Sequence, residues 1–576
     1  MPTTANLALL GVATVATLYI IYRRLLPKPI PGIPYNEGSE SRILGDIPNF
    51  LHELSSTGDF AQWFVKQAKS SNSPLKQVFL NPFTKPMVIL SDPRETMDVM
   101  TKRAKDFDRP SSLADILDPV VGPSQIHLQS GSKHKMHRRL VQDTMTPNFL
   151  QTVATPNIEI ASDNFIELWK VKTKLAQGRP FAAEDDMSRV TLDGVLAFAF
   201  GPEYPYSALK PQLELVNGMS ITDGDIDLDV PLEFGEAEYH PSLGAALDLV
   251  WYSGKIMNSV VYSLSWQKYK YTSRFKMLMR RKADMIKTEI TKAIQKRAES
   301  TEEPRILHAV DLMVDREARQ AERQGREPDF FSASMIGETY LFIVAGHDTS
   351  SAVMSWMLKL LSDKPEYQSK LRRILFDAYP TAFSENRMPS AAEMASTSVP
   401  FLDAFMEESF RYIPTSAGSI REAMHDTVLL GKYIPKGTNI LLMNKGPGYH
   451  EPSLQIDEGL RSTTSQETKK SQMARIWENE DDLHEFKPER WLKEVDGKTI
   501  FDASAGAVDN FGAGPRGCFG RRLAYLEVRM LLTRILWMFE LDKCPVELSG
   551  YEGYLNVVNK PQKCFVRPRL VDHSKY

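Results

Sequence analysis

The stretch Phe511-Gly-Ala-Gly-Pro-Arg-Gly-Cys-Phe-Gly520 sets one cysteine among glycines at 512, 514, 517 and 520. Residues without a Cβ let a loop approach another group closely, and the segment Cys518 to Phe539 carries the apolar period of a helix. Cys518 therefore stands at a helix entrance, where unpaired backbone N–H groups favour an anion and lower the pKa of a thiol. A thiolate in that position can ligate soft iron. The plainer reading is a glycine-rich turn around an inert cysteine, and it is preferred for Cys544 and Cys564, which lack this arrangement of glycines, helix entrance and basic neighbours. Three cysteines in 576 residues make no disulfide framework and fit a reducing compartment.

Ala345-Gly-His-Asp-Thr349-Ser lies inside a long helical pattern, Phe331 to Leu361. Ala345 and Thr349 are i and i+4 and share a face. A small side chain at 345 leaves room beside the helix, and Gly346 is expected to tolerate a local opening into which a hydroxyl hydrogen-bonds. The alternative is that Asp348 or Thr349 caps a helix starting at Ser350, but the apolar run Tyr340 to Val344 argues that the helix continues through. Glu408 and Arg411 can pair on one helix face, a common arrangement that gains weight from Phe486-Lys-Pro-Glu-Arg490-Trp, between that helix and the cysteine loop. His134 and His137 have metal-ligand spacing, yet no acidic or third histidine partner stands near them in sequence, and no zinc site is expected.

Phe511, Gly514, Arg516, Cys518 and Gly520 fill every named position of the signature F-x-x-G-x-R-x-C-x-G. At roughly 1 in 20 per identity, five fixed positions arise by chance about 2 times in 10,000 in a chain of this length. On these residues the sequence resembles the cytochrome P-450 family. The resemblance implies a mainly α fold with small β-sheets, a single catalytic domain, and haem b held by Cys518 as axial thiolate. It makes Ala345, Gly346, Asp348 and Thr349 similar to the family's oxygen-activation motif, with room for dioxygen at Ala345 and a proton relay through Asp348 and Thr349. It implies a structural triad of Glu408, Arg411 and Arg490 behind the haem. It places cations for the haem propionates at Arg138, Arg421 and Arg516, with His134 standing where relatives carry Trp and still able to donate a hydrogen bond.

These motifs must be held by elements that the sequence also outlines. Helices are expected over Gly131 to Met145, Asp186 to Phe200, Ser273 to Arg297, Phe331 to Leu361, Ala404 to Tyr412 and Cys518 to Phe539. Strands are expected over Pro86 to Leu90, Val428 to Leu430 and Asn439 to Met443. The domain organisation reads as a membrane anchor over 1–26, a proline-rich hinge over 27–34 and a catalytic domain over 35–576. The anchor rests on the uncharged apolar run Leu7 to Tyr22, followed by Arg23, Arg24 and Lys28, which would keep the body of the chain cytosolic. The rivals are a cleaved signal peptide or a buried helix. Four prolines between Pro27 and Pro34 predict an extended, stiff spacer. Residues 460–474 are polar without apolar period, so a surface loop or disordered insertion is expected there.

Composition narrows the function. Hydrophobic residues make up 42% and charged residues 25%, ordinary for a globular protein, and 70 basic against 73 acidic residues leave no footprint for nucleic acid. The family's substrate-lining regions correspond to Pro110 to Ile126, roughly Met219 to Trp266, the segment before Ala345, and Pro414 to Ser419. Their apolar and aromatic character points to a lipophilic substrate. Ser242 to Trp266 reads equally as a second membrane-dipping surface and as core or substrate roof. Lys133, Lys135 and Arg139 offer an acidic electron donor a docking face, with a plain solvated helix face as the alternative. No flavin or nicotinamide fingerprint was found, so electrons from NADPH must arrive through a separate reductase. The chain looks like filamentous-fungal microsomal members, which implies single-pass attachment to the endoplasmic reticulum and a role in secondary metabolism. The rival activities are a thiolate isomerase or dehydratase acting on peroxides, and a non-enzymatic haem sensor or lipid binder.

Overall fold

The computed structural model describes residues 4–81, 84–220, 227–257, 259, 261–300, 304–470, 475–555 and 558–576, the side chains of 4–11, 60 and 555 excepted. In chain order, the helices that carry or flank the motif residues are α1 (Thr4–Leu25), α2 (Pro93–Met100), α3 (Ser112–Val121), α4 (Ser132–Val141), α5 (Thr155–Ala176), α6 (Glu184–Phe200), α7 (Pro241–Met257), α8 (Tyr262–Lys270), α9 (Ser273–Glu299), α10 (Ala333–Asp363), α11 (Pro400–Tyr412), α12 (Thr463–Lys470) and α13 (Arg521–Met538). Among the strands are β1 (Leu75–Val78), β2 (Met87–Leu90), β3 (Phe107–Asp108), β4 (Gly418–Ala423), β5 (Thr427–Leu429), β6 (Lys432–Ile434), β7 (Asn439–Met443), β8 (Gly553–Leu555) and β9 (Asn559–Pro561). The chain divides into two compact units: the first is Met1–Pro110, Ala417–His484 and Gly512–Arg516, the second Ser111–Ser416, Glu485–Phe511 and Gly517–Tyr576.

The first unit is built on a five-stranded sheet in the order β1-β2-β7-β4-β3, antiparallel except for the pair β2 and β7. Alternate residues of β2 and β7 go to opposite faces, as the two-residue pleat requires. Val88, Leu90, Ile440 and Leu442 pack with Leu75 and Phe107, whereas Ile89, Leu441 and Met443 pack with Trp63 and Phe64. Both faces are covered, so Asn439–Met443 is apolar at nearly every position rather than alternating.

The proline-rich stretch 27–34 is anchored on this unit, since Ile30 and Ile33 are buried in the first of those two faces. Proline leaves neighbouring carbonyls without ladder partners, and the Gln77 side chain supplies them, donating to the carbonyls of Ile30 (2.9 Å) and Ile33 (2.7 Å). The 460–474 insertion is not a loose loop over its whole length. Arg461 makes a two-pronged bond to Asp92 (2.7 and 3.0 Å), and the hydroxyls of Ser462 and Thr464 donate to Asp98 (2.5 and 2.9 Å). These polar groups tie α12 to the acidic side of α2, a stabilisation that hydrophobic period cannot reveal; residues 471–474 lie outside the described residues. Among the described residues no helix is long and apolar enough to cross a membrane. The side chains of residues 4–11, which include the first five residues of the expected apolar run, are outside the described set.

The second unit is mainly helical. The 31-residue helix α10 runs through the unit and packs along α6. A Cβ at Gly346 would lie 2.4 Å from Val195 Cγ2, so this glycine is required by close helix packing. The helix is unbroken from Ala333 to Asp363, as the apolar run before Ala345 predicts. Of the two readings of Ser242 to Trp266, Trp266 itself fits the core: it is buried, and its indole N–H donates to the Asp115 carbonyl of α3 at 2.9 Å. Among the described residues of that region, Trp251, Val261 and Leu264 are the exposed large apolar side chains.

Candidate active site

The cysteine loop crosses between the two units twice, and its turns explain its glycines. Gly512 and Gly514 have φ of 59° and 65°, left-handed values that cost a side chain strain. A Cβ at Gly514 would also lie 2.1 Å from the Met100 carbonyl oxygen. In the second unit the Cys518 backbone N–H donates to the Phe511 carbonyl at 2.7 Å, which closes the loop, and the Cys518 thiol is exposed. Phe511 is wedged against Phe410 and Tyr525, with ring centroids 5.1 and 5.3 Å away. Helix α13 starts at Arg521 with Gly520 as N-cap, so Cys518 precedes the helix rather than opening it. Burial pushes the Cys544 thiol up to about 11 and the Cys564 thiol up to about 12. Both are kept as protonated thiols, while Cys518 alone of the three is exposed.

On α10, Ala345 and Thr349 are exposed although Ile343, His347 and Ser350 beside them are buried. Thr349 Oγ1 donates to the Ala345 carbonyl (2.8 Å), and Thr191 of α6 donates to the carbonyl of His347 (3.0 Å). Asp348 is held in an ion pair. Its carboxylate is 2.8 Å from Lys560 Nζ of β9, which is also 3.6 Å from Glu184. Burial opposes charge on Lys560, but Asp348 and Glu184 outweigh it and hold the ammonium above its usual pKa. The Tyr554 hydroxyl donates to Glu184 at 2.7 Å. The Lys560 and Glu184 partners come from distant parts of the chain, which no local pattern announces.

The arginines fall into two groups. In the first unit Arg516 Nε is 3.6 Å from Asp108, and Arg109 donates to the Arg516 carbonyl at 3.2 Å. Arg421 is buried, and that burial, with Arg109 and Arg516 nearby, pushes its guanidinium down to about 9. Arg109, Arg421 and Arg516 thus gather positive charge around the fully buried Arg421 guanidinium, a setting that an anion would stabilise. The two carboxylates of haem fit that setting, and Arg109 is a member that the motifs did not indicate. In the second unit Arg138 donates to Gln125 Oε1 at 3.0 Å and lies over the Phe519 ring, 4.4 Å from its centroid. His134 sits one turn earlier on α4, half-buried.

Glu408, Arg411 and Arg490 are brought together. Glu408, with no exposed side chain, accepts from Arg411 Nε and Nη2 (2.8 and 2.7 Å) and from Arg490 Nε (3.1 Å). The Lys487 backbone N–H (2.8 Å) and the Trp491 indole N–H (2.9 Å) complete the ring of donors on this carboxylate. Trp491, the residue after the P-E-R tripeptide, is thus part of the same lock.

Sequence reasoning also missed Glu527 of α13. Its carboxyl is buried between α10 and α6, hydrogen-bonded to Ser350, and a Cβ at Gly194 would lie 2.8 Å from its Oε1. Burial pushes it up to about 8. The native protein therefore keeps a proton that the unfolded chain releases above pH 4.5, and stability is lost as pH rises from there towards 8. In Glu527→Gln this component, a slope of about 1.4 kcal/mol per pH unit, is expected to vanish. Urea midpoints at pH 5.5, 6.5 and 7.5 check it, and parallel pH profiles for the two proteins would refute it.

The chain matches the family model described as Cytochrome P450 over residues 47–449 and 477–565, and the unmatched gap contains α12. It is 34% identical over 582 residues to the cytochrome P450 monooxygenase TRI13 of Fusarium sporotrichioides, covering 97% of this chain and 98% of that protein. It is likewise 34% identical to the cytochrome P450 monooxygenase xilC of Penicillium rubens, over 97% of this chain and 95% of that one. The crystal structure of the cytochrome P450DA heme domain superposes with a TM-score of 0.66 at 18% identity, covering 96% of this chain and 99% of that chain; this likeness concerns the fold.

Proposed function

The chain belongs to the cytochrome P450 family of monooxygenases, and from this premise we propose that it inserts one oxygen atom of O2 into a lipophilic small molecule in fungal secondary metabolism. In the second unit Cys518 would supply a thiolate to hold the haem iron, and Arg138, with His134, a cation and a hydrogen-bond donor for haem. In the first unit Arg109, Arg421 and Arg516 would take its carboxylates. Bound haem supplies the activation of dioxygen, driven by electrons that we assign to NADPH through a separate reductase. Exposed Lys133, Lys135 and Arg139 on α4 give that acidic partner a cationic face.

The observation that carries oxygen insertion over peroxide rearrangement is the exposed pair Ala345 and Thr349. Ala345 adds only a methyl to that face. Thr349 spends its own hydrogen on the Ala345 carbonyl, so its oxygen lone pairs are directed outward and can hold a proton-carrying water. Asp348, tethered to Lys560, would exchange protons only when that ion pair loosens. Peroxide rearrangement has no need of such a relay.

We assign α1 to membrane attachment, with the body cytosolic at the endoplasmic reticulum. Its 22 residues span about 33 Å at 1.5 Å per residue, and its described apolar side chains, including Val12, Val15 and Leu18, are exposed. Arg23 and Arg24 close its C-terminal turn.

A reduced carbon-monoxide difference spectrum, followed by reductase-driven turnover against a metabolite screen, tests the assignment. A protein with the thiolate-type band that converts nothing with O2 and reductase, but isomerises a hydroperoxide, would overturn it. With a substrate in hand, Thr349→Ala is expected to keep the haem spectrum and NADPH use while product per NADPH falls by roughly tenfold or more, the balance appearing as hydrogen peroxide. Asp348→Asn is expected to slow turnover as a whole. Unchanged coupling and rate in both would refute the relay.

A further inference from the structure

A buried network outside the motifs joins α10 to α4. Glu338, two turns before Ala345, is 1% exposed and accepts from the Gln125 backbone N–H at 2.6 Å and from Gln125 Nε2 at 3.0 Å. Its Oε1 is also 2.8 Å from His137 Nδ1. Gln125 and His137 are themselves buried. The preceding residue reinforces the contact, because a Cβ at Gly337 would lie 2.5 Å from the Pro123 carbonyl oxygen. The connection between α3 and α4 is thus pressed directly against α10.

The donor and acceptor inventory makes this network directional. A carboxylate only accepts, so the Gln125 amide must turn its NH2 group to Glu338 and its oxygen the other way. That oxygen is the acceptor of Arg138 Nη1 at 3.0 Å. The guanidinium so held stacks on Phe519, the residue after Cys518. We propose that Glu338 is a positioning residue which, by fixing the orientation of the Gln125 amide, holds the Arg138 guanidinium beside the Cys518 loop for a haem carboxylate.

This inference rests on the haem reading above and adds to it a residue that touches neither haem nor substrate. In Glu338→Gln the introduced amide can serve the Gln125 backbone N–H and His137 through its oxygen. Its NH2 group then faces the NH2 of Gln125, whose amide must flip and turn a donor towards Arg138. The reciprocal exchange Glu338→Gln/Gln125→Glu repairs the mismatch: the new carboxylate accepts from the new amide and keeps an oxygen on Arg138.

The test is haem release from the purified holoproteins to excess apomyoglobin. Partners one shell out from a ligand typically change affinity by 10–100-fold, so Glu338→Gln is expected to release haem about 10-fold faster than wild type. The reciprocal exchange is expected to return the rate to within about twofold. In an Arg138→Met background, Glu338→Gln is expected to add nothing. If Glu338→Gln fails to fold, Gln125→Met, which leaves the pair of Glu338 and His137 in place, is expected to show the same acceleration. Lack of rescue, or an equal acceleration in the Arg138→Met background, would overturn the positioning role. Wild type that binds no haem overturns the proposed function. Wild type that holds haem, with Glu338→Gln releasing it at the same rate, overturns the positioning role alone.

Discussion

Cys518→Ser is expected to abolish the thiolate-type carbon-monoxide band and to reduce reductase-driven turnover to background. A serine hydroxyl is far too weak an acid to stand as an anion at neutral pH, and so it cannot replace a thiolate as axial ligand. Loss of an outer-shell partner of a metal ligand already costs 10–100-fold, so losing the ligand itself should cost more than about 100-fold. The surrounding loop has no reason to collapse: the bond from residue 518 to the Phe511 carbonyl is made by the backbone, and the thiol is exposed. A circular-dichroism spectrum close to that of wild type is therefore expected alongside the lost band, with a melting point lowered by the weaker hold on haem. Cys544→Ala and Cys564→Ala provide the contrast, since burial keeps both thiols protonated, and each should retain the band. A Cys518→Ser protein that keeps it would remove the assignment of the ligand.

The second large effect is expected at Glu408. Glutamine preserves the shape but removes the charge that faces Arg411 and Arg490, whose side chains are 0% and 7% exposed. Breaking a buried ion pair by deleting one partner costs about 3–5 kcal/mol, because a charge is left without compensation in a low dielectric. Against a total stability of roughly 5–15 kcal/mol, that is a large fraction, and whichever oxygen the amide NH2 replaces it must face a donor, the Lys487 N–H at one position or the Trp491 indole N–H at the other, besides Arg411. Glu408→Gln is expected to lower the urea midpoint accordingly and to reduce the yield of folded protein. Glu489→Gln is the control: its pair with Lys370 is 2.7 Å long but exposed at both ends, where such bridges are worth about 0–1 kcal/mol. Equal midpoints for the Glu408 and Glu489 variants would show that the triad does not lock this unit.

What could be read from the chain alone was whatever is encoded within a few consecutive turns. The cysteine loop, the i, i+4 pair Ala345 and Thr349, and strand Asn439–Met443 are defined by local spacing. The helices expected over Phe331 to Leu361 and Ser273 to Arg297 are observed at Ala333–Asp363 and Ser273–Glu299. Their length let the apolar period accumulate over many turns. Helix α5 was missed although it holds the buried Trp169, because part of its inner face is polar: Lys172 is buried and satisfied by Asp186 of α6 at 2.7 Å. Its inward lysine breaks the stripe that marks a core helix.

The residue types of the candidate site, the thiol at 518, the acid and hydroxyl at 348 and 349, and the pairing capacity of Glu408 with Arg411, were determined by the sequence. Tertiary structure alone decided their partners. It joined Asp348 to Lys560 across 212 positions, Glu338 to Gln125 across 213, and Arg109 to the Arg516 carbonyl across 407, and it folded the proline-rich hinge into a core. Local spacing fixes which side chains share a face, since backbone geometry repeats every 3.6 or 2 residues. Which charge meets which depends on desolvation, and a buried ion or amide finds its counterpart only where the packed chain brings one within about 3 Å.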